Sequence, residues 1–186
     1  MGYVFDPDVL HEIAKLGVGL DFDEACRVVV GELAVTYPGH IERGREWVFN
    51  LAGGATGIMD VLHGSMTEYM IIFGSPIGTE AFSGRYPLDI HDFVLSGTMY
   101  TYTEDNPGDA LVSGPGDRAL LRRGQVKGFR LDPGCWMLEY GRGFVPGALH
   151  TTLVDVLVRG LDLPILTQTF RVYGMAVIRE LLQGKL

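Results

Sequence analysis

Two carboxylates occupy strand-like apolar runs. Glu139 sits in Cys135-Trp136-Met137-Leu138-Glu139-Tyr140, and Asp92 in Ile90-His91-Asp92-Phe93-Val94-Leu95. An ionised carboxylate in such surroundings must be paired or hydrogen-bonded, or its pKa must rise. Two carboxylates brought close together share one proton and leave a neutral acid beside a base, which suits proton transfer to and from an apolar substrate. In an alternating strand Glu139 shares a face with Met137, while Trp136, Leu138 and Tyr140 take the other. The residues alone leave a plainer reading open, in which Glu139 points outward or pairs with Arg142. Glu68, in Ser65-Met66-Thr67-Glu68-Tyr69, reads as a structural hydrogen-bond anchor.

Other chemistry finds little support. His11, His40, His63, His91 and His150 are scattered without HxH or HExxH spacing, so no metal is expected. Gly114-Pro115-Gly116 is followed by Asp117-Arg118-Ala119-Leu120, without the histidine that follows such a turn in metal-binding cupins. No GxSxG elbow appears. The glycines of Leu51-Ala52-Gly53-Gly54-Ala55-Thr56-Gly57 lack the spacing of a phosphate-binding loop and read as close helix packing. No cofactor is expected.

The elements that must hold the carboxylates fall into three zones. Residues 1–66 read as mainly helical, with segments at Pro7–Leu16, at Ala25–Val35 capped by Asp21 or Asp23, and at Trp47–Met66. Residues 67–142 read as short strands: Glu68–Phe73, Phe93–Leu95, Thr98–Thr103, Ala110–Val112, Ala119–Leu121, Val126–Leu131 and Trp136–Tyr140. Gly, Pro, Asp and Asn separate them, the pattern of a small barrel or jelly roll. Residues 143–186 return to helix at Pro146–Arg159 and Pro164–Leu182. In the second of these, Leu166, Phe170, Tyr173, Val177, Ile178 and Leu181 form an apolar face for core packing, for covering the barrel mouth, for a partner or for a membrane surface. Together the 186 residues are expected to form a single α+β domain.

Composition narrows the class. The chain is 47% hydrophobic, yet no apolar run approaches the roughly 18–20 residues that a membrane span needs. A net charge of −8 argues against nucleic acid as a partner. Cys26 and Cys135 form no motif, and the early acidic residues do not make a secretory leader, so a reducing, cytoplasmic setting is expected.

Several stretches resemble the family of the fungal sterol delta-8 to delta-7 isomerases and the sigma-1 receptor. They are Trp47-Val48-Phe49-Asn50 with Ala52-Gly53-Gly54, Leu62-His63-Gly64-Ser65-Met66-Thr67-Glu68-Tyr69, and Phe73-Gly74-Ser75-Pro76-Ile77-Gly78-Thr79-Glu80. Ser83-Gly84-Arg85-Tyr86, Ser96-Gly97-Thr98, Gly114-Pro115-Gly116 and Trp136-Met137-Leu138-Glu139-Tyr140-Gly141-Arg142-Gly143 complete the series in family order. The resemblance implies N-terminal helices, a cupin-like jelly-roll barrel with a buried pocket, two C-terminal helices covering its mouth, and a homotrimer.

Carried over to this chain, the resemblance makes Glu139 the central carboxylate and Asp92 its partner, the two catalytic residues. Tyr69 becomes the tyrosine that bonds Glu139, Glu68 the structural carboxylate, and Phe73, Leu95, Trp136, Met137 and Tyr173 pocket residues. The implied activity is an alkene shift through a carbocation on a sterol or other polyisoprenoid. Lipophilic amines that mimic the cation would act as inhibitors. A proton-initiated terpenoid cyclase and a non-catalytic, sigma-1-receptor-like amine binder are the alternatives. The chain starts near the relatives' first soluble helix, and its C-terminal helices carry Asp155, Arg159, Gln168 and Arg171. This implies a soluble or only peripherally membrane-associated form.

Overall fold

The computed structural model describes residues 2–44 and 46–184, without the side chains of His150, Thr151 and Arg159. Helix α1 (Pro7–Lys15) starts at Asp6, whose side chain accepts from the Asp8 and Val9 amides. Helix α2 (Phe22–Thr36) starts at Asp21, which accepts from the Glu24 amide. These short polar caps satisfy amides that have no partner within the helix.

Ten strands follow among the described residues: β1 (Trp47–Ala52), β2 (Ala55–Gly64), β3 (Glu68–Ser75), β4 (Thr79–Phe82), β5 (Leu88–Ser96), β6 (Met99–Tyr102), β7 (Leu111–Ser113), β8 (Arg118–Leu121), β9 (Gly128–Leu131) and β10 (Cys135–Gly143). They form a six-stranded sheet in the order β1-β2-β3-β10-β5-β8 and a four-stranded sheet in the order β4-β9-β6-β7, with every pairing antiparallel. Inward residues of both sheets, Met59, Val61, Ile71, Phe73, Val94 and Met137 from one and Met99 and Leu131 from the other, share one buried cluster. The sheets thus close face to face as the expected cupin-like jelly roll.

The outer face of the large sheet carries the other half of each alternation. Met70, Ile72, Phe93, Leu138 and Tyr140 pack there against Leu10, Ile13, Val29 and Leu33 of α1 and α2. The N-terminal helices therefore back the sheet that holds the carboxylates.

Strand structure begins earlier than the sequence zones suggest. The stretch Trp47–Met66, read as helical, is the β1–β2 hairpin, with Ala52 opposite Ala55. Gly53 and Gly54 have φ of 63° and 93°, and a two-residue turn with both φ positive matches the twist of its flanking strands. The glycines taken as helix-packing positions make this turn, and a Cβ on Gly53 would lie 1.9 Å from the Phe82 carbonyl oxygen. The short strand β4 was also missed; its alternate residues are exposed and its sequence Thr-Glu-Ala-Phe is weakly patterned.

After β10 a 3₁₀ turn (Val145–Gly147) leads into α3 (Leu149–Asp155) and a π turn (Val156–Gly160), which ends at Leu161 with φ 47°. Helix α4 (Leu163–Leu182) starts at Asp162, which caps the Ile165 amide. The face of α4 that docks on the barrel is Thr169, Tyr173, Ala176 and Glu180. Phe170, Met175, Ile178 and Leu181 are exposed, so much of the predicted apolar face points away from the barrel. No helix among the described residues is long and apolar enough to cross a membrane.

Candidate active site

The inward alternation of β2, β3, β5 and β10 lines a cavity with Met59, Val61, Tyr69, Ile71, Phe73, Ile90, Asp92, Met137 and Glu139. Met99 and Phe129 of the smaller sheet, Leu121 of β8 and Lys127 complete the lining. Val145, Ala148, Leu149 and Thr152, with Thr169 and Tyr173 of α4, form the cover. Tyr173 fixes α4 there by donating its hydroxyl to the Ser65 carbonyl at 2.6 Å.

Within this apolar wall, Glu139 on β10 is the direct cross-strand partner of Asp92 on β5. Directly opposed residues project to the same side of a sheet with Cβ atoms roughly 5 Å apart, so the two carboxylates are neighbours by register. The Tyr69 hydroxyl donates to Glu139 Oε1 at 2.6 Å. Glu139 is part-buried, and it lines the cavity.

Burial, reinforced by the Asp92 charge, pushes the Glu139 carboxyl up to about 7, against the opposing pull of the Tyr69 bond and the Lys127 charge. Burial and the Glu139 charge hold the Tyr69 hydroxyl well above its usual range, so it remains a donor. Asp92 is 2% exposed and ion-paired with the Lys127 ammonium. The Thr169 hydroxyl, also buried on the cavity wall, has no hydrogen-bond partner among the described residues, so it is available to a polar group of a ligand.

The structure thus brings together Glu139, Asp92, Tyr69, Phe73, Met137 and Tyr173. Leu95 and Trp136 lie elsewhere. Leu95 belongs to the outer core under α1 and α2, and the Trp136 ring packs on Phe22 at 4.1 Å between ring centroids. Both are one step out of phase with the carboxylate on their own strand, and strand alternation sends them to the other face. Glu139 does not pair with Arg142, whose guanidinium lies 3.9 Å from Asp89. Glu68 is on the outer face, where it accepts from the Val4 and Phe5 amides and from the Tyr140 hydroxyl at 2.6 Å.

Sequence reasoning missed Lys127, and a lone ammonium beside Val126, Gly128 and Phe129 was the signal available. It also missed a cluster outside the cavity. His40, His63 and Glu180 each offer a ligand atom, all within 4.8 Å of one another, and so are the described residues that could hold a metal ion. In this structure His40 Nδ1 is 2.8 Å from Glu180 Oε2 and His63 Nδ1 is 2.9 Å from the His40 carbonyl oxygen. The cluster ties α4 to the barrel.

An apolar cavity with a cross-strand carboxylate pair in its wall makes this a jelly-roll protein whose pocket suits a hydrophobic ligand. The sequence matches the family described as "ERG2 and Sigma1 receptor like protein" over residues 1–185, and the chain belongs to that family. It is 41% identical to the C-8 sterol isomerase ERG2 of Gibberella zeae, covering 99% of this chain and 79% of that protein. It is 37% identical to the sigma non-opioid intracellular receptor 1 of Xenopus tropicalis, covering 96% and 81%. Among solved structures, the polyketide cyclase RemF from Streptomyces resistomycificus is similar over 54% of this chain and 73% of its own, with 19% identity and a TM-score of 0.45. An RmlC-like cupin from Shewanella frigidimarina is similar over 56% and 90%, with 16% identity and a TM-score of 0.45.

Proposed function

We propose that the protein is an acid–base isomerase acting on the ring alkene of a sterol, or on a related polyisoprenoid, through a carbocation. The observation that carries this reading is the cross-strand Asp92–Glu139 pair opening on an apolar cavity, with Tyr69 bonded to Glu139. One carboxyl donates its proton to an alkene carbon, leaving the positive charge on the neighbouring carbon. The other carboxylate removes a proton from the far side of that centre, and the new double bond forms there. Between turnovers the pair exchanges its proton with solvent and the first carboxyl is reprotonated, so no co-reactant is consumed. The negative pocket stabilises the cation in between. The relationship to C-8 sterol isomerases such as that of Gibberella zeae supports the sterol class.

The test is incubation of the purified protein with a panel of delta-8 sterols and linear isoprenoid diphosphates in D₂O, with products analysed by mass spectrometry. A shifted alkene carrying one solvent deuterium is expected. Turnover without deuterium overturns the mechanism, and a cyclised product assigns the pocket to proton-initiated cyclisation.

A second reading, a non-catalytic binder of hydrophobic amines, is favoured by the same buried carboxylate, which can meet a cationic nitrogen. It predicts amine binding that depends on Glu139 and no product from any alkene offered.

The exposed stripe of Phe170, Met175, Ile178 and Leu181 on α4, with Val154 and Val158 before it, fits peripheral contact with a cytoplasmic membrane surface. A homotrimer is the proposed assembly. Vesicle flotation and light scattering of the purified protein test these two points.

A further inference from the structure

Lys127 lies in the segment between β8 and β9, yet its side chain is only 11% exposed and its ammonium is paired with Asp92. Its backbone is clamped on both sides: Lys127 N donates to Ser83 Oγ at 2.9 Å, and Ser83 N donates to the Lys127 carbonyl at 2.9 Å. The ammonium also lies 5.7 Å from the centre of the Phe129 ring. The ammonium is thus fixed at one end of a two-carboxylate system. At the other end, Glu139 receives the Tyr69 hydroxyl. A phenol bond is neutral, whereas an ammonium contributes a full charge, so the two carboxylates are not equivalent.

We propose that Lys127 is a positioning residue that divides the labour of the pair, holding Asp92 as the ionised base and assigning the shared proton to Glu139. This rests on the acid–base reading of the cavity. The raised titration of Glu139, at about 7, is in keeping with it. Among the described residues, the other ionisable groups lining the cavity are Tyr69 from β3, Tyr86 from the loop before β5, Tyr173 from α4 and Lys127 itself. Of these, Lys127 is the one ion-paired with a member of the pair, Asp92. With Glu139 protonated, the Asp92–Lys127 pair leaves the cavity neutral before reaction. A ligand cation then meets a carboxylate whose charge is already balanced, which favours turnover over tight retention of cations.

The experiment compares the full chain with Lys127→Met and Lys127→Arg. The probes are N,N-dimethyldodecylamine below its micellar concentration, an uncharged dodecyl amide of similar size, and ¹³C-carboxyl-labelled Asp and Glu read by NMR. Removing one cation from a dry site is expected to tighten amine binding in Lys127→Met by about tenfold or more while leaving the amide unchanged. Lys127→Arg should behave as the wild type. The Asp92 carboxyl should titrate as ionised at pH 6 in the wild type and take up a share of the proton in Lys127→Met. The alkaline limb of the turnover profile should move to higher pH in Lys127→Met only.

Unchanged or weaker amine binding in a folded Lys127→Met protein, or a protonated Asp92 in the wild type at pH 6, overturns the proposal. The NMR and binding readouts need no turnover. Failure of every alkene substrate therefore counts against the isomerase reading and leaves the role of Lys127 decided by the other arms.

Discussion

Asp92 on β5 and Glu139 on β10 are directly opposed across two hydrogen-bonded strands at the centre of the large sheet. Because both strands are held on either side by further pairing and backed by α1 and α2, the distance between the two carboxylates is a property of the sheet rather than of loops. Glu139→Gln and Asp92→Asn keep side-chain volume and are expected to preserve the fold while lowering turnover by roughly 10³-fold or more. Near-UV circular dichroism with product formation checks both halves. A variant that stays folded and active removes that carboxyl from the mechanism.

The pH dependence of stability has two opposing parts. The Glu139 carboxyl in the folded protein titrates at about 7, above its ordinary 4.5, so between these values the folded state binds more protons than the unfolded one. Its contribution is full below 4.5 and is lost as pH rises through 7. His91, buried between the Phe93 and Tyr140 rings, behaves oppositely. Burial, then the charges of Arg142 and Arg118, bring it down to about 4 from 6.5, so its contribution is full above 6.5 and is lost as pH falls through 4. The two slopes oppose each other between pH 4.5 and 6.5. Urea denaturation of Glu139→Gln should uncover a stability that rises with pH, by on the order of 1 kcal/mol per unit. His91→Phe should show the reverse slope.

Gly141 sits under the Tyr69 ring, where an added Cβ would lie 2.1 Å from Tyr69 Cε1. Gly141→Ala must therefore displace the ring whose hydroxyl holds Glu139. Turnover is expected to fall by about 10²-fold, as for other angstrom-scale displacements of a catalytic group. Because a donor is lost, the Glu139 titration should move above 7. Retention of wild-type kinetics would show that the Tyr69 bond is dispensable.

Glu68 secures the N-terminal segment by accepting the Val4 and Phe5 amides on the outer face of the sheet. Glu68→Ala leaves these amides and the Tyr140 hydroxyl without their acceptor in the core, which should cost about 3 kcal/mol or more of stability. Hydrogen exchange should rise first at residues 4 and 5. Amine affinity of the remaining folded fraction should be unchanged, since Glu68 does not line the cavity.

Strand alternation made the site half legible. Period two placed Glu139 with Met137 and apart from Leu138 and Tyr140, and the structure keeps that division. The same rule, applied to β5, would have removed Leu95 from the cavity, since it is in phase with Phe93. Pairing partners were not legible from pattern, because register depends on contacts remote in sequence; the Asp92–Glu139 pairing came only through the family resemblance. The β1–β2 hairpin was hidden because Gly53-Gly54 was read as small residues for packing instead of a turn with two positive φ angles. Lys127 was hidden because a charged residue beside a strand usually faces solvent, and nothing local marks one that folds inward onto a carboxylate.

The charges of the cavity have unequal origins. Asp92 and Glu139 are built into central strands, whereas Lys127 comes from a connecting segment and is pinned by Ser83. A connecting segment tolerates exchange and resizing that a central strand does not. The cationic member of the trio is therefore the one that mutation can replace without rebuilding the barrel. On the proposal above, one step at position 127 would turn a vessel that releases cations into one that retains them. On that proposal, a single loop residue separates a catalyst from a receptor in this architecture.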